Sequence, residues 1–536
     1  MNASGHVSRE PRTRLGGNDI GRCLTRLHHD RFTAAEPIDD PVRQRTFDRG
    51  FAHEDEINRQ LMALQPRTVV ISQDLSWSAA IDTTMSEMES GSPLIIGGRI
   101  SNADGSLVGA PDVLVRRAGG YAAVEIKSHK VVGKSGPEAT RSPLSHLHDH
   151  SGELVRFRSA RRRDLLQVAH YWRILDEIGL GTPETLGGVI GTDDPASCLW
   201  VDLAAGSPPI LDEHETWLIE GRAVLEHGRQ HPERPLVDPW MRGECQTCNW
   251  HDLCLGDLIH LDDPTLLRGV DAEMRDALIG DGIRTVADVA GLSLDDARMA
   301  DNATVVQARA RTYGGLMRRT PDGVPIDLPR RRIEVDFDIE TSGGTIYLAG
   351  LLISEEDGEP RYEPIADWTG TPDGERQVLE HLFERFATWS DDDVVVFHWT
   401  DYEPRTLTEA ALRHDLTIDG SSSIEEWFAN HAFDLCAWSR AHLASPDGHG
   451  LKVIAPLCGF SWRDDDPGGL QSEMWFEDLL AGDVDMRQRL LAYNEDDVVA
   501  QAEIRRWVKG HDDGRGPGTA IPSVTIWPPP AVPLRS

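Results

Sequence analysis

The stretch GAPDVLVRRAGGYAAVEIKSHK, residues 109–130, has the alternating pattern of a β-hairpin. We predict that Gly119-Gly120 forms a two-residue turn, which places Asp112 opposite Lys127. Because successive side chains of a strand point to opposite faces, Asp112, Glu125 and Lys127 then share one face. The other face is apolar and carries Val113, Val115, Val124 and Ile126.

The charged face of this hairpin has the side chains that a hydrolytic metal site needs. Carboxylate oxygens such as those of Asp112 and Glu125 suit Mg²⁺ or Mn²⁺, and a bound metal lowers the pKa of its water. The Lys127 ammonium would assist that water or stabilise the developing charge. A strand with this pattern is also compatible with an ordinary solvated polar face, so the motif alone leaves both interpretations open.

The D-x12-E-I-K arrangement of the hairpin resembles the core of the PD-(D/E)xK nucleases, particularly their RecB-like branch. His53 lies upstream in a helix-like run, where that branch has a metal-binding histidine. Downstream, Gln167 and Tyr171 stand four apart and match its Q-x3-Y motif. The resemblance implies a restriction-endonuclease-like nuclease domain over residues 20–258, with His53, Asp112 and Glu125 as metal ligands and with Lys127, Gln167 and Tyr171 completing the active site.

Three of the seven cysteines, Cys245, Cys248 and Cys254, form a compact group, and a fourth, Cys23, lies far upstream. Four thiolates hold either a zinc ion or an iron–sulfur cluster, and spacing alone does not decide between them. RecB-like nucleases with a [4Fe–4S] cluster have this layout, with one cysteine before the nuclease core and three after it. The resemblance implies a [4Fe–4S] cluster at these four cysteines, with zinc as the alternative.

A second acidic pattern begins at residues 333–340, IEVDFDIE, which alternate as a strand does. Asp338 and Glu340 are two apart, so they share a face near the end of this strand. Much later in the chain, Tyr493 and Asp497 stand four apart in a helical pattern and therefore share one helix face.

The order D-x-E, H-x4-E and Y-x3-D resembles the RNase H-like 3′–5′ exonucleases of the DEDDy type. In that type, four carboxylates hold two metal ions that stabilise the attacking and leaving oxygens. The resemblance implies that Asp338, Glu340, Glu403 and Asp497 bind Mg²⁺ or Mn²⁺ and that Tyr493 positions water. Glu403 stands where the common pattern has aspartate, and Asp401 is a fallback ligand. A domain that keeps the fold and only binds nucleic acid is the alternative.

These motifs predict an α/β multidomain protein. Residues 259–317 resemble a helix-hairpin-helix-type module, although a plain helical spacer fits equally well, and residues 330–510 would form the RNase H-like domain. Residues 511–536 are rich in Pro and Gly, which predicts a flexible tail. Gly133-Lys134-Ser135 lacks the first glycine of a phosphate-binding loop, so we expect no nucleotide-binding site and no helicase activity in this chain.

Composition limits the partners of the protein. The 536 residues include 89 acidic and 54 basic side chains, a net charge of −35, so nucleic acid would have to bind at local patches. The sequence has no run of 18 apolar residues and no apolar signal segment. We therefore expect no membrane span and a cytoplasmic location.

Together these patterns predict metal-dependent hydrolysis of nucleic-acid phosphodiester bonds, with DNA favoured over RNA and with a second, 3′–5′ exonuclease-like site. A separate helicase is a candidate partner. Two alternatives stay open, a nucleic-acid-binding adaptor with degenerate sites and an RNA-processing nuclease.

Overall fold

The structure, a computed structural model, describes residues 14–34, 41–149, 152–296, 302–319, 326–356, 358–389, 393–418, 423–465 and 468–512. The chain forms two compact units. The first contains the residues up to Pro239 together with Gly243–Cys254, and the second contains Trp240–Arg242 and the residues from Leu255 onward. None of the described helices has the length and apolar character that a bilayer crossing requires.

An eight-stranded mixed sheet is the frame of the first unit. The strands of this unit are β1 (Leu15–Gly16), β2 (Thr68–Val70), β3 (Leu94–Ile96), β4 (Ile100–Ser101), β5 (Leu107–Gly109), β6 (Val113–Arg117), β7 (Gly120–Ile126), β8 (Glu138–Pro143), β9 (Leu154–Arg156), β10 (Leu186–Ile190) and β11 (Ser197–Asp202). The large sheet has the order β2-β3-β6-β7-β10-β11-β8-β9, and a small sheet has the order β1-β5-β4.

Helices cover both faces of the large sheet. The helices of this unit are α1 (Leu24–Phe32), α2 (Pro41–Leu64), α3 (Trp77–Ser90), α4 (Arg162–Glu177) and α5 (Ile210–Gln230), and α6 (His251–Leu261) begins here. The apolar hairpin face predicted from sequence packs with Ile57 and Leu61 of α2. The opposite face, which includes Leu114 and Ala123, packs with α4 and α5. The charged end of the hairpin therefore lies beneath α4.

The hairpin of β6 and β7 exists, but its predicted register is wrong by two residues. Arg117 pairs with Gly120, so the turn consists of Ala118 and Gly119. Gly119 has φ +89°, a conformation that glycine adopts without strain. Gly120 belongs to the strand, and a Cβ atom there would lie 2.2 Å from the carbonyl oxygen of Gly181.

The observed register brings the two carboxylates of the hairpin together. Val113 pairs with Val124, so Asp112 lies beside Glu125 and not opposite Lys127. Because side chains alternate with a period of two, a two-residue shift leaves every side chain on its predicted face.

The second unit contains a five-stranded sheet. Five strands form this sheet: β13 (Ile333–Ser342), β14 (Thr345–Glu355), β15 (Arg361–Ala366), β16 (Val394–His398) and β17 (Ala432–Asp434). Two short strands, β12 (Met317–Arg318) and β18 (Leu443–Ala444), pair in a separate small sheet. The order of the five-stranded sheet is β15-β14-β13-β16-β17. Strands β13, β14 and β15 are antiparallel, whereas β16 is parallel to β13 and β17 to β16.

The helices of the second unit are α7 (Ala272–Gly280), α8 (Val286–Ala290), α9 (Ala303–Tyr313), α10 (Pro372–Ala387), α11 (Tyr402–His414), α12 (Ile424–His431), α13 (Leu435–His442), α14 (Leu451–Leu457), α15 (Gly469–Leu480) and α16 (Met486–Asp512). The apolar face of β13 packs against α10, α11 and α12. Helix α16 crosses the opposite face, where Gln501 donates to the Phe337 carbonyl at 3.1 Å.

The short helices α7 to α9 pack within the second unit. Helices α7 and α8 are joined by a hairpin in which Gly282 has φ +86°. Gln307 of α9 donates to the Pro446 carbonyl at 2.7 Å, and Met317 pairs with Ala444. That residues 259–317 are a helix-hairpin-helix-type module that binds DNA stays a prediction. Most of the predicted flexible tail, residues 513–536, lies outside the described residues.

Candidate functional sites

Two carboxylates and a lysine meet at the end of the first-unit hairpin. Lys127 Nζ donates to Glu125 Oε2 at 2.6 Å, and the Ile126 amide donates to Asp112 Oδ2 at 2.7 Å. Glu125 is only 3% exposed, so this is not the solvated strand face that the motif alone left open. We call this group the hairpin site.

The charged groups of the hairpin site lie close enough to change one another's pKa. Burial raises the pKa of Asp112 well above its ordinary value, and the neighbouring Glu125 charge raises it further. Burial would lower the pKa of Lys127, but the charges of Glu125, Asp164 and Asp112 outweigh burial and raise it. Lys127 therefore stays protonated and acts as a fixed positive charge.

Helix α4 covers the hairpin site with the predicted glutamine and tyrosine. Lys127 Nζ donates to Gln167 Oε1 at 2.8 Å, and Gln167 Nε2 donates to the Tyr171 hydroxyl at 2.9 Å. A Cβ atom at Gly17 or Gly109 would lie 2.7 Å from the Tyr171 ring. The two glycines thus leave room for the tyrosine, a relationship that no local pattern indicates.

Helix α2, which carries His53, contributes to the hairpin site a carboxylate that sequence reasoning missed. Glu54 is half-buried, and burial, followed by the charge of Glu125, raises its pKa. The charge of Glu54 in turn contributes to the raised pKa of Asp112. Its place beside His53 in the sequence was the available signal.

Two buried atoms of the hairpin region are suited to a cation. Among the described residues, neither His53 Nε2 nor Glu125 Oε1 has a hydrogen-bond partner. Burial lowers the pKa of His53, which favours the neutral imidazole that binds metals. An unpaired carboxylate oxygen in a buried acidic site is costly unless a cation neutralises it, so Glu125 is suited to a divalent metal. The ligand atoms of His53, Asp112 and Glu125 do not all lie within 4.8 Å of one another, so their role as one ligand set stays a prediction.

The four predicted cysteine ligands all belong to the first unit and are half-buried. Cys23 is the N-cap of α1, and the Cys248 amide donates to the Cys245 carbonyl at 3.1 Å in a tight turn. Cys254 lies on α6. Trp250, within the same loop, donates to Asp30 of α1 at 2.7 Å. The cysteine loop is thereby fastened to the helix that Cys23 begins.

In the second unit, three carboxylates that are distant in sequence converge. Ligand atoms of Asp338, Glu340 and Asp497 all lie within 4.8 Å of one another, and no other group of three or more His, Cys, Asp or Glu ligands among the described residues is as close. Asp338 and Glu340 come from β13, and Asp497 comes from α16. We call this group the triad.

The carboxylates of the triad repel one another when they are charged. Burial raises the pKa of Asp338 well above its ordinary value, and the charges of Glu340, Asp497 and Glu403 add to the effect. Burial and the charge of Asp497 raise the pKa of Glu340 to about 8. A divalent cation between these carboxylates would remove the repulsion, so the donor set fits a metal.

Glu403, and not Asp401, faces the triad. Glu403 is buried in the first turn of α11, whereas Asp401 is exposed. The Glu403 charge acts on Asp338, and among the described residues Glu403 Oε2 has no hydrogen-bond partner. The same Oε2 atom lies 3.7 Å from Nδ1 of His398. That Glu403 is a metal ligand, with Asp401 as the fallback, stays a prediction.

Tyr493 and a lysine lie beside Asp497. Lys452 Nζ forms an ion pair with Asp497, and its Nζ lies 4.5 Å from the centroid of the buried Tyr493 ring. The Trp462 indole also donates to Asp497 at 2.6 Å. Sequence analysis predicted Tyr493 here and missed Lys452. The rarity of lysine was the available signal, since the chain has only five lysines.

Asn494 and Ser472 form hydrogen bonds to the two triad carboxylates of β13. Asn494 Nδ2 donates to Asp338 Oδ2 at 2.9 Å, and Asn494 Oδ1 accepts from the Tyr362 hydroxyl at 2.8 Å. Glu340 Oε2 accepts from Ser472 at 2.6 Å. Neither Asn494 nor Ser472 was predicted.

The sheet therefore carries two residues of an acidic triad on its central strand, and the third residue lies on the helix that crosses it. Residues 335–509 match the family model of the RNase_H superfamily. The RNase H-like domain therefore includes all three triad residues as well as Glu403, Lys452 and Tyr493. Members of this superfamily are usually phosphodiester hydrolases, and they bind divalent metals through such a triad. No curated protein matches the chain significantly.

Proposed function

We propose that the protein is a metal-dependent nuclease that cleaves nucleic acid, with DNA as the favoured substrate, at the triad and at the hairpin site. The observation that carries the proposal is the convergence of Asp338, Glu340 and Asp497 within an RNase H-like domain. Three carboxylates, two of them buried and that of Asp338 half-buried, are unfavourable at this spacing unless they bind a cation.

At the triad, Asp338, Glu340, Glu403 and Asp497 would hold Mg²⁺ or Mn²⁺. The bound metals would supply an activated water and would neutralise charge on the phosphate. Tyr493 would position the water, and Lys452 would add positive charge beside Asp497. The resemblance to DEDDy-type enzymes suggests exonucleolytic cleavage in the 3′–5′ direction.

At the hairpin site, His53, Asp112 and Glu125 would hold Mg²⁺ or Mn²⁺, as the resemblance to RecB-like nucleases implies. Lys127, kept protonated by its carboxylate neighbours, would stabilise negative charge that develops on the scissile phosphate. Gln167 and Tyr171 would fix the position of Lys127 through the hydrogen bonds from α4.

We further propose that Cys23, Cys245, Cys248 and Cys254 bind a [4Fe–4S] cluster. The layout of one cysteine before the hairpin and three after it, which RecB-like nucleases with such a cluster share, supports the proposal. A zinc ion bound by the same four thiolates is the alternative.

Two other functions are tested by the same measurement. An adaptor with degenerate sites would bind nucleic acid for a partner such as a separate helicase without cutting it. An RNA-processing nuclease would cleave RNA in preference to DNA.

The test is cleavage of labelled DNA and RNA, each single-stranded and duplex, with Mn²⁺ by the wild-type chain and by Asp112→Asn, Asp338→Asn and the double variant. We expect each single variant to lose one component of DNA cleavage and the double variant to lose all cleavage. Cleavage that survives in the double variant would come from elsewhere and would disprove the proposal. Inactive wild-type protein that binds nucleic acid would favour the adaptor.

A further inference from the structure

Near the hairpin site lies an aromatic ring that the proposed chemistry does not use. Trp77, the first residue of α3, is 40% exposed. The guanidinium carbon of Arg99 lies 5.4 Å from the centroid of its ring. Tryptophan has a large apolar surface that folding usually covers, so an exposed tryptophan with a cation on its ring is suited to binding.

Arg99 links this ring to the hairpin site. Its Nη1 donates to the carbonyl oxygens of Gly97 and Gly98 at 2.7 and 3.0 Å. The Gly97 amide in turn donates to the Asp112 carbonyl at 2.8 Å. The positive charge of Arg99 also acts on Glu54 and opposes the increase of its pKa. Arg99 therefore lies just after the end of β3, and Asp112 lies just before the start of the neighbouring strand β6.

The pair has the chemistry that recognises an unpaired nucleotide. Bases stack on exposed aromatic rings with little sequence preference, and guanidinium groups bind phosphate. In the described part of the chain, the side-chain hydrogen bonds of Arg99 come from Nη1 alone, which leaves Nε and Nη2 for a phosphate. In a duplex each base is already stacked between its neighbours, so its face is not accessible to a protein ring.

We propose that Trp77 and Arg99 form a stacking platform that holds an unpaired nucleotide beside the hairpin site, so that single-stranded nucleic acid is the substrate of this site. The substrate role rests on the proposed nuclease function. The binding role does not depend on cleavage, and the two are measured separately.

The test is binding of fluorescein-labelled oligothymidylate, and of its duplex with oligoadenylate, by the full chain in EDTA, measured by fluorescence anisotropy. Removing one stacking ring by Trp77→Ala should weaken single-strand affinity about fivefold to a hundredfold and leave duplex affinity unchanged. Trp77→Phe keeps a ring and should stay close to wild type. Ile219→Ala, at a 61% exposed apolar position on α5, is the control and should change neither affinity.

Equal single-strand affinity of Trp77→Ala and wild type would overturn the inference. Equal losses for single strand and duplex, or no single-strand binding by the wild type, would overturn it as well. If the chain shows the expected binding pattern and yet never cleaves, the nuclease proposal fails and the platform stands. If the chain cleaves and Trp77→Ala binds as tightly as the wild type, the platform proposal fails and the nuclease proposal stands.

Discussion

A Cβ atom added to Gly350 would lie 1.7 Å from Oδ1 of Asn494. Gly350 pairs with Asp338 across β13 and β14, and Asn494 donates a hydrogen bond to that aspartate. The glycine therefore provides the space in which an amide from α16 holds a carboxylate of the triad.

Gly350→Ala should displace Asn494 and leave Asp338 without its hydrogen bond. We expect triad cleavage to fall roughly tenfold to a hundredfold, the range seen when partners of metal ligands are removed. The rate is measured in an Asp112→Asn background, so that only cleavage at the triad contributes. Gly256→Ala, where nothing lies within 4 Å, is the matched control and should be neutral. An unchanged rate for Gly350→Ala would show that Asn494 does not position Asp338.

Glu54→Gln should weaken metal binding at the hairpin site, because it removes a negative charge that acts together with Glu125 and Asp112. We expect cleavage in an Asp338→Asn background to need a higher Mn²⁺ concentration. Asp55→Asn changes the adjacent, exposed carboxylate and should leave the Mn²⁺ dependence as it is. The same shift in both variants would mean that general surface charge, and not Glu54, sets the affinity.

Glu403→Gln should reduce triad cleavage by at least about tenfold, because the amide keeps the size of the side chain and loses its charge. Asp401→Asn, two residues earlier and exposed, should keep the wild-type rate. Rates are compared at saturating Mn²⁺ with a 3′-labelled single strand. If Asp401→Asn were the more damaging change, the fallback ligand would be the real one.

Anaerobically purified protein should contain iron and acid-labile sulfide and should absorb visible light. Cys248→Ser should lose both and should lower the melting temperature of the first unit, because the cysteine loop is fastened to α1 through Trp250 and Asp30. Cys458→Ser, which changes a cysteine of the second unit, should retain the iron. A colourless protein with one zinc ion per chain would reject the cluster.

The first unit should lose stability in mild acid. His170 and His214 are buried with ring nitrogens 3.2 Å apart, and burial lowers the pKa of His170 to about 4 and of His214 to about 3. Both rings take up protons more readily in the unfolded chain, whose ordinary pKa is 6.5. Their contribution is therefore complete above pH 6.5 and is lost as the pH falls toward 4.

For each of these two histidines, linkage predicts a loss on the order of 2 kcal/mol in the free energy of unfolding between pH 6.5 and 5. Urea unfolding at several pH values should show a shallower dependence for His214→Gln than for the wild type. His231→Gln, at an exposed histidine, should keep the wild-type slope. Identical slopes in all three proteins would contradict this account.

Sequence periodicity predicted which side chains share a face, and the structure brings those side chains together. Asp112, Glu125 and Lys127 meet at the end of the hairpin, and Asp338 and Glu340 meet on one face of β13. Alternation is a local property of a strand, so it survives even where the hairpin register was predicted incorrectly.

Residues brought in from distant helices were harder to predict. Glu54, Lys452 and Asn494 reach the sites from helices whose orientation depends on packing, and a local pattern does not specify which of their residues turns inward. The register error has a similar origin. The close contact of Gly120 with Gly181 decides the turn, and that contact joins segments 61 residues apart in sequence.

The bond between Trp250 and Asp30 also has a consequence for synthesis on the ribosome. These partners are separated by 220 positions, and Thr25 and Val237 are joined across 212. At typical elongation rates, α1 emerges roughly 10–45 s before the residues that complete its environment. Helix α1 of the nascent chain therefore remains with its apolar side accessible to chaperones until synthesis has passed Trp250.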